Sequence, residues 1–198
     1  MKLRIPSFEQ YQEDYKKSVE NPTQFWGDIA STFSWKKEWD TVLDWNFNDP
    51  NVKWFEGGTL NITENMLDRH LEDSGDKVAF HWEPNDPSAA HKSITYNELY
   101  VQVCKMANAL KSLGVEKGDR VCIYMPMTLE AVVSIIACAR IGAVHSIVFA
   151  GFSSTALADR INDAQAKIVI TSDGLNRGTK KVELKGMVDE ALKSCSSI

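Results

Sequence analysis

Residues 123–161 read IYMPMTLEAVVSIIACARIGAVHSIVFAGFSSTALADRI, and this stretch decides the fold class of the chain. A β-branched run, an apolar helical run, a second β-branched run and a glycine-containing turn into another helix follow one another with almost no intervening residues. Short strands that alternate with longer helices are typical of a parallel sheet covered by helices on both faces. The sequence therefore predicts an α/β fold with a parallel sheet and flanking helices.

The same alternation continues on both sides of this stretch. It predicts parallel strands over Arg120–Met125, Ala143–Phe149 and Lys167–Thr171. The helices predicted beside them span Tyr96–Leu113, Leu129–Ile141, Thr155–Ala164 and Lys185–Ser194. Thr95 and Glu98 have the spacing of a capping box at the start of the first of these helices. The helix from Leu129 is apolar nearly all round, so we expect it to be covered on more than one side.

The first ninety or so residues differ in character from the rest. They contain all six tryptophans, which are Trp26, Trp35, Trp39, Trp45, Trp54 and Trp82. The patterns predict helices over Phe8–Val19, Thr23–Phe33 and Asn61–Leu71, turn-rich extended segments between residues 40 and 58, and a strand over Val78–Glu83. We expect residues 1–92 to form a mainly helical extension whose tryptophans dock it on the α/β portion, residues 93–198, rather than stack on a sugar or a base.

Composition and charge exclude several classes of protein. A net charge of −5 is atypical of a general nucleic-acid binder, which would usually be basic. We find no secretory signal, and the longest apolar run, Leu129–Ala139, is too short to span a bilayer. The four cysteines form no CxxC pair and no metal-like spacing. We therefore expect a cytoplasmic protein with reduced thiols, bound to neither nucleic acid nor membrane.

Three common active-site signatures are absent from the sequence. No GxGxxG pattern follows a strand, so the usual dinucleotide fingerprint is missing. Residues Gly151–Thr155 lack the final glycine of a GxSxG nucleophile elbow. Residues Gly174–Lys180 have glycines one residue too close for a phosphate-binding P-loop, and no Ser or Thr follows the lysine. The residues themselves therefore indicate no catalytic nucleophile and no nucleotide-phosphate loop.

Two loops at predicted strand ends are candidate ligand sites. The first is Phe149–Ser153, at the carboxyl end of a parallel strand, where open α/β sheets bind ligands. Its small residues could admit a ligand close to the backbone, and Ser153 could cap the next helix. Gly151 could equally serve only the tight turn, and the spacing leaves both interpretations open.

The second loop, Asn176–Lys181, is locally cationic in a chain that is acidic overall. Residues 177–185 contain four basic side chains and one acidic side chain. Arginine offers a fixed fork of donors and lysine a mobile point charge, and both suit a phosphate. Runs of charge are also common on solvated faces, so the basic residues alone leave both interpretations open.

Four motifs follow one another along the chain: KWFEGGTLNITENMLDRH (residues 53–70), GDRVCIYMPMTLEAV (118–132), CARIGAVHSIVFAGFSSTALADRI (138–161) and ITSDGLNRGTKKVELKGMVDEAL (170–192). In this order they resemble those of the AMP-forming acetyl-CoA synthetases, a branch of the adenylate-forming superfamily. The resemblance implies the amino-terminal portion of an acetate–CoA ligase. Its substrates would be the small molecules acetate, ATP and coenzyme A, and the complete enzyme would need Mg²⁺.

The resemblance also assigns roles to residues in the two candidate loops. It implies that Phe149, Ala150 and Gly151 lie against the adenine of coenzyme A. It implies in the same way that Arg177 and Lys180 face the 3′-phosphate of coenzyme A. Ala150 stands where many members have glycine, and Thr179 stands where an RGGK pattern would have its second glycine.

The resemblance places the remaining machinery beyond residue 198. The Ser/Thr/Gly-rich phosphate loop, the acyl-pocket tryptophan, the ribose-binding aspartate, the hinge and the adenylating lysine would all lie downstream. We therefore expect no catalytic residue, no metal ligand and no ligase activity in this chain alone. Two alternatives are a portion of a propionate–CoA ligase and a stand-alone module that binds coenzyme A or a nucleotide. The sequence does not indicate an oligomeric state.

Overall fold

The computed structural model describes residues 5–198, which form two compact units. One unit ends at Asn65 and the other runs from Met66 to Ile198. The domain boundary that the sequence predicts, between residues 92 and 93, is not tested by this division into compact units and stays a prediction.

The first unit contains two helices, a hairpin and all but the last residue of a short third helix. Their bounds are α1 Phe8–Glu20, α2 Pro22–Ala30, β1 Thr41–Asn46, β2 Asn51–Glu56 and α3 Ile62–Met66. Strands β1 and β2 pair antiparallel, so the segments predicted as extended form a hairpin. Helix α2 ends three residues earlier than predicted, because Thr32 and Phe33 donate their N–H groups three residues back in a tight turn.

Aromatic side chains pack against one another in the first unit. The rings of Trp35, Trp39 and Phe55 lie with their centroids 5.0–5.6 Å apart. The indole N–H of Trp35 donates to the carbonyl of Ala30 at 2.9 Å, which joins the end of α2 to this cluster. These tryptophans therefore act as packing residues within their own unit, and their docking on the α/β portion stays a prediction.

The helix predicted over Asn61–Leu71 is wrong as a single helix. Helix α3 ends at Met66, and a 3₁₀ turn over Asp68–His70 and a short helix, α4 Leu71–Ser74, follow it. Leu67 between them is 1% exposed and has φ −129°, outside the helical region. Asp68 forms a bidentate ion pair with Arg140 at 2.8 and 3.1 Å. These long-range contacts override the local helical pattern.

The second unit is built on a parallel sheet of three strands. These strands are β5 Arg120–Tyr124, β6 Val144–Ile147 and β7 Ile168–Thr171, in the order β6-β5-β7. The other elements are two hairpins, β3 Val78–Trp82 with β4 Lys92–Thr95 and β8 Leu175–Arg177 with β9 Lys180–Val182, and the helices α5 Tyr96–Ser112, α6 Leu129–Ile141, α7 Ser154–Ala164 and α8 Leu184–Leu192. The predicted parallel sheet with flanking helices is confirmed.

Strand β5 separates two apolar cores. Val121 and Ile123 pack with residues of α5 and α6 on one face. Cys122 and Tyr124 pack with residues of α7 and α8 on the other face. Helix α6 is covered by both the sheet and α5, as its apolar sequence predicts. The capping box at the start of α5 is confirmed, with reciprocal hydrogen bonds between Thr95 and Glu98.

Two of the three parallel strands end earlier than predicted, whereas β7 ends at Thr171 as predicted. Strand β5 ends at Tyr124 instead of Met125, and β6 ends at Ile147 instead of Phe149. The residues that leave the strands there form loops at one edge of the sheet.

The buried thiols give a test of this packing. Cys122 and Cys138 are 1% and 0% exposed, and burial raises the pKa of each thiol to about 11. We expect iodoacetamide at about pH 8 to spare both thiols in the native chain and to modify all four in urea, because the thiolate is the nucleophile. Native-state modification of Cys122 as fast as that of the partly exposed Cys104 would contradict the packing.

These thiols also predict a dependence of stability on pH. Their pKa in the folded chain is raised above the ordinary value of 9.0. The protonated thiols therefore stabilise the fold fully below about pH 9, and this contribution is lost as the pH rises toward about 11. We expect the difference in the free energy of unfolding in urea between the wild type and Cys122→Ala to shrink as the pH rises through this range. The wild type loses the contribution of the Cys122 thiol there, and the variant has no thiol at this position to lose.

Candidate functional site

A cavity of about 930 Å³ lies at the carboxyl ends of the three parallel strands. The loops that follow β5, β6 and β7 all contribute to it, and the loop between β3 and β4 covers another side. Its lining residues are Trp82, Glu83, Pro84, Asn85, Asp86, Ala89, Met125, Pro126, Met127, Thr128, Ile147, Val148, Phe149, Ala150, Asp173, Gly174, Leu175, Asn176, Arg177 and Lys181.

The topology of the sheet explains the position of this cavity. The chain continues from β5 into α6 on one face of the sheet and from β7 through a hairpin into α8 on the other face. Strands β5 and β7 are neighbours. Open α/β sheets bind ligands where the connections from adjacent strands diverge in this way. The cavity therefore lies at a position where this fold class can bind a ligand.

One wall of the cavity is apolar. Met127, Ile147 and Phe149 line it and are 88%, 58% and 61% exposed. The indole N–H of Trp82 donates to the carbonyl of Met127 at 2.9 Å, which links the β3 strand to the loop after β5. Lys92 lies 5.4 Å from the centroid of the Trp82 ring. The wall offers flat apolar surface to a ligand such as a nucleobase.

The loop from Phe149 to Ser153 is a tight turn into α7. Gly151 and Phe152 both donate their N–H groups to the carbonyl of Phe149, at 2.7 and 3.1 Å. The Ser153 hydroxyl caps α7 by accepting a hydrogen bond from the Ala156 N–H at 3.2 Å, as predicted. A Cβ atom on Gly151 would lie 2.6 Å from the Phe149 ring. The small size of Gly151 therefore makes room for the Phe149 ring.

The basic loop predicted over Asn176–Lys181 is wrong as a loop, because the residues form the hairpin β8–β9. Arg177 and Lys180 are cross-strand partners, joined by the two-residue turn Gly178-Thr179. Gly178 has φ +60°, a conformation that glycine adopts without steric cost. A two-residue turn with glycine first is typical of a type II′ hairpin. We call this hairpin the cationic hairpin.

Of the five sequence-predicted site residues, three line the cavity and two do not. Phe149, Ala150 and Arg177 line it, whereas Gly151 and Lys180 are not among the described lining residues. Lys181 does line it and was not singled out by the sequence. The Lys181 ammonium lies 3.3 Å from the Glu183 carboxylate, but both side chains are 70% exposed, so this pair contributes little.

Acidic side chains also line the cavity. Glu83, Asp86 and Asp173 are among its residues. Hydrogen bonds from the hydroxyl and the N–H of Ser88 lower the pKa of the Asp86 carboxyl. Among the lining residues, only Arg177 and Lys181 carry positive charge. An anionic group would therefore be attracted to the cationic hairpin rather than to the cavity as a whole.

Sequence reasoning did not identify Asn85. Its side-chain Nδ2 donates to the carbonyl of Gly178 at 2.9 Å, and its Oδ1 accepts from the Gly178 N–H at 3.1 Å. The two residues are 93 positions apart, so no local spacing could have indicated this contact.

Over residues 5–198, we find no group of three or more His, Cys, Asp or Glu side chains placed to hold a metal ion. Within the same range, none of the helices is both long enough and apolar enough to cross a bilayer.

Comparison with known proteins finds two family models that match different parts of the chain. The model for "AMP-binding enzyme" matches residues 67–197, and the model for "Acetyl-coenzyme A synthetase N-terminus" matches residues 11–66. The first match covers the whole cavity.

Curated relatives match almost the whole chain. The acetyl-coenzyme A synthetase of Magnetococcus marinus is 56% identical over 191 residues, which cover 96% of this chain and 30% of that protein. The acetyl-coenzyme A synthetases of Gamma-proteobacterium EBAC31A08 and Halorhodospira halophila are 53% and 51% identical over 98% and 97% of this chain, again 30% of each relative. The chain thus spans about 30% of the length of these relatives.

The turn at Gly151 leads to a matched pair of predictions. Gly151→Ala should displace the Phe149 ring and change its side-chain chemical shifts, at a cost to stability of only about 0.5 kcal/mol because the ring is exposed. Gly186→Ala, on the exposed face of α8 with open space around it, should instead stabilise the chain by about 0.5–1 kcal/mol. Both are measured by urea unfolding and by the NMR signals of Phe149. Unchanged Phe149 signals in Gly151→Ala would contradict the described turn.

Proposed function

Because this chain belongs to the AMP-binding enzyme family, we propose that it is the amino-terminal part of an AMP-forming acetate–CoA ligase. The complete ligase would convert acetate, ATP and coenzyme A into acetyl-CoA, AMP and diphosphate. The cavity at the carboxyl edge of the sheet would hold the adenosine 3′-phosphate end of coenzyme A. The observation that carries this proposal is the combination of an apolar wall and a cationic hairpin in one cavity.

The two parts of the cavity suit the two parts of this ligand. The adenine ring is flat and apolar on its faces, and it would lie against Phe149 and Ala150. The 3′-phosphate would lie at the cationic hairpin, where Arg177 can offer a fork of donors. Lys180, the cross-strand partner of Arg177, would supply a mobile second charge. Gly151 would act by holding the turn that carries the Phe149 ring.

This part of the ligase would act in the second half-reaction. In that step the thiol sulfur of coenzyme A forms a bond to the carbonyl carbon of acetyl-adenylate, the carbon–oxygen bond to AMP breaks, and the thiol proton is lost. The residues described above would bind the end of coenzyme A remote from its thiol. They would therefore orient the molecule without touching the reacting atoms.

Magnesium and ATP enter this proposal only as requirements of the complete ligase. A divalent cation would neutralise charge on the ATP phosphates during adenylation. The described residues do not offer it a cluster of ligands. We therefore assign no step of the reaction to a metal held by this chain.

The cytoplasm is the compartment that we propose for the ligase. All four cysteines are free in the structure, and two of them are buried. Reduced thiols of this kind are usual in cytosolic proteins.

The proposal predicts the effect of reversing the charge of Arg177 in the complete ligase. A hydrogen bond to a charged group contributes about 1.5–3 kcal/mol, less when it is exposed. Arg177→Glu should raise the apparent KM for coenzyme A by at least roughly tenfold, since about 1.4 kcal/mol corresponds to one decade. Adenylation precedes the binding of coenzyme A, so the acetate-dependent exchange of pyrophosphate into ATP should stay near the wild-type rate.

Dephospho-CoA provides the control for this experiment. Without the 3′-phosphate, the wild type and Arg177→Glu should have similar KM values. If Arg177→Glu impaired exchange and coenzyme A use to the same extent, the basic residues would have a structural role and the proposed site would be wrong.

A second prediction concerns the chain of 198 residues by itself. Adenylation requires hydrogen-bond donors and cations around the ATP phosphates to stabilise the developing charge. The sequence contains no phosphate-binding loop of the expected pattern. Acetate-dependent exchange of pyrophosphate into ATP should therefore be at background for the purified chain. Exchange that persists after removal of contaminating ligase would overturn this expectation.

A further inference from the structure

The tip of the cationic hairpin presents backbone groups that the hairpin itself does not use. Arg177 and Lys180 pair across the two strands, and Gly178 and Thr179 form the turn between them. The ladder ends at the pair Arg177 and Lys180, so it does not use the N–H and C=O groups of Gly178. Gly178 therefore has both a donor and an acceptor available to a neighbouring segment.

The side chain of Asn85 meets both groups. It donates to the Gly178 carbonyl at 2.9 Å and accepts from the Gly178 N–H at 3.1 Å. A carboxamide carries a donor and an acceptor side by side, which is what this pair of backbone groups requires. A carboxylate at the same position could only accept, and a hydrocarbon side chain could do neither.

The cationic hairpin has few other restraints at this end. Each of its strands has only three residues, and two-stranded hairpins are marginally stable in water. Leu175 and Val182 pack against the core at the base of the hairpin. Arg177, Gly178 and Lys180 at the tip are exposed. The two hydrogen bonds from Asn85 therefore act at the end of the hairpin that lies beyond the core.

We propose that Asn85 is a positioning residue that holds the cationic hairpin, and with it Arg177, in place for the phosphate of coenzyme A. This inference rests on the proposed function. Asn85 and Arg177 both line the cavity, and Arg177 directly precedes the residue that Asn85 binds. Asn85 restricts the hairpin tip through the backbone of Gly178, and the ligand contacts come from the cations.

The expected effect follows from the fraction of molecules whose hairpin is in place. The apparent Kd of a ligand equals its intrinsic Kd divided by the fraction of competent protein. If loss of the two bonds leaves the tip in place about one-tenth of the time, the apparent Kd rises about tenfold. The contacts made by the bound ligand are unchanged, so the turnover rate at saturation is unchanged as well.

The test uses steady-state kinetics of the complete ligase with Asn85→Leu. This variant is close in size and removes both hydrogen bonds without adding charge. We expect the KM for coenzyme A to rise about five- to tenfold, with kcat and pyrophosphate exchange near wild type. The conservative Asn85→Gln keeps both amide groups and should recover part of the lost affinity. A tenfold change corresponds to about 1.4 kcal/mol.

Asn162→Leu is the matched control. Its side chain also joins two distant segments, by donating to the Ser194 carbonyl at 2.9 Å, and it is not among the cavity residues. It should affect the unfolding midpoint about as much as Asn85→Leu and leave the KM for coenzyme A unchanged. An equal rise of KM in both variants would mean a general loss of structure and would overturn the inference.

A combined mutant separates this inference from the proposed function. In an Arg177→Gln/Lys180→Gln background, Asn85→Leu should add little to the KM for coenzyme A, because the cations that it positions have lost their charge. Full additivity would overturn the positioning role. An effect of Arg177→Glu on KM without any effect of Asn85→Leu would also overturn it, while supporting the proposed function. The absence of any effect of Arg177→Glu would instead refute the proposed function itself.

Discussion

The burial of strand β5 on both faces is the constraint on which the second unit depends. Val121, Cys122, Ile123 and Tyr124 are each at most 1% exposed, and alternate residues pack into opposite cores. Full burial of an apolar side chain contributes about 1.5–3 kcal/mol, so this short strand supports much of the fold. Both neighbouring strands are parallel to it. The loops that follow all three strands therefore converge at one edge.

This convergence brings together apolar and charged side chains that are far apart in the sequence. The loop after β6 supplies an apolar wall, and the hairpin after β7 supplies positive charge. The Trp82 indole connects the β3–β4 region to the loop after β5, and the Asn85 amide connects it to the hairpin after β7. The site thus depends on two kinds of support: a rigid sheet edge beneath it and polar contacts at its rim. We propose that the site binds coenzyme A because an apolar wall and a cationic hairpin lie in the same cavity.

The sheet could be predicted from sequence because its signals are local. β-branched runs, the capping box at Thr95 and Glu98, and the serine cap at Ser153 each depend on residues within a few positions. The break at Leu67 could not be predicted, since it reflects tertiary contacts. The place of Lys181 in the cavity lining requires the folded hairpin, and the contact of Asn85 with Gly178 requires the folded chain. Local patterns thus predict the carboxyl edge of the sheet. The side chains that line the cavity at this edge depend on the tertiary structure.

The most direct test of the proposed site is NMR titration of the isotopically labelled chain with adenosine 3′,5′-bisphosphate, which carries the adenine and the 3′-phosphate of coenzyme A without its pantetheine arm. We predict chemical-shift changes at the backbone amides of residues 149–152 and 176–182, with weaker binding as salt concentration rises. The Gly178 amide should be among those that shift. Saturable shifts confined to other parts of the chain, with these two segments unaffected, would contradict the account.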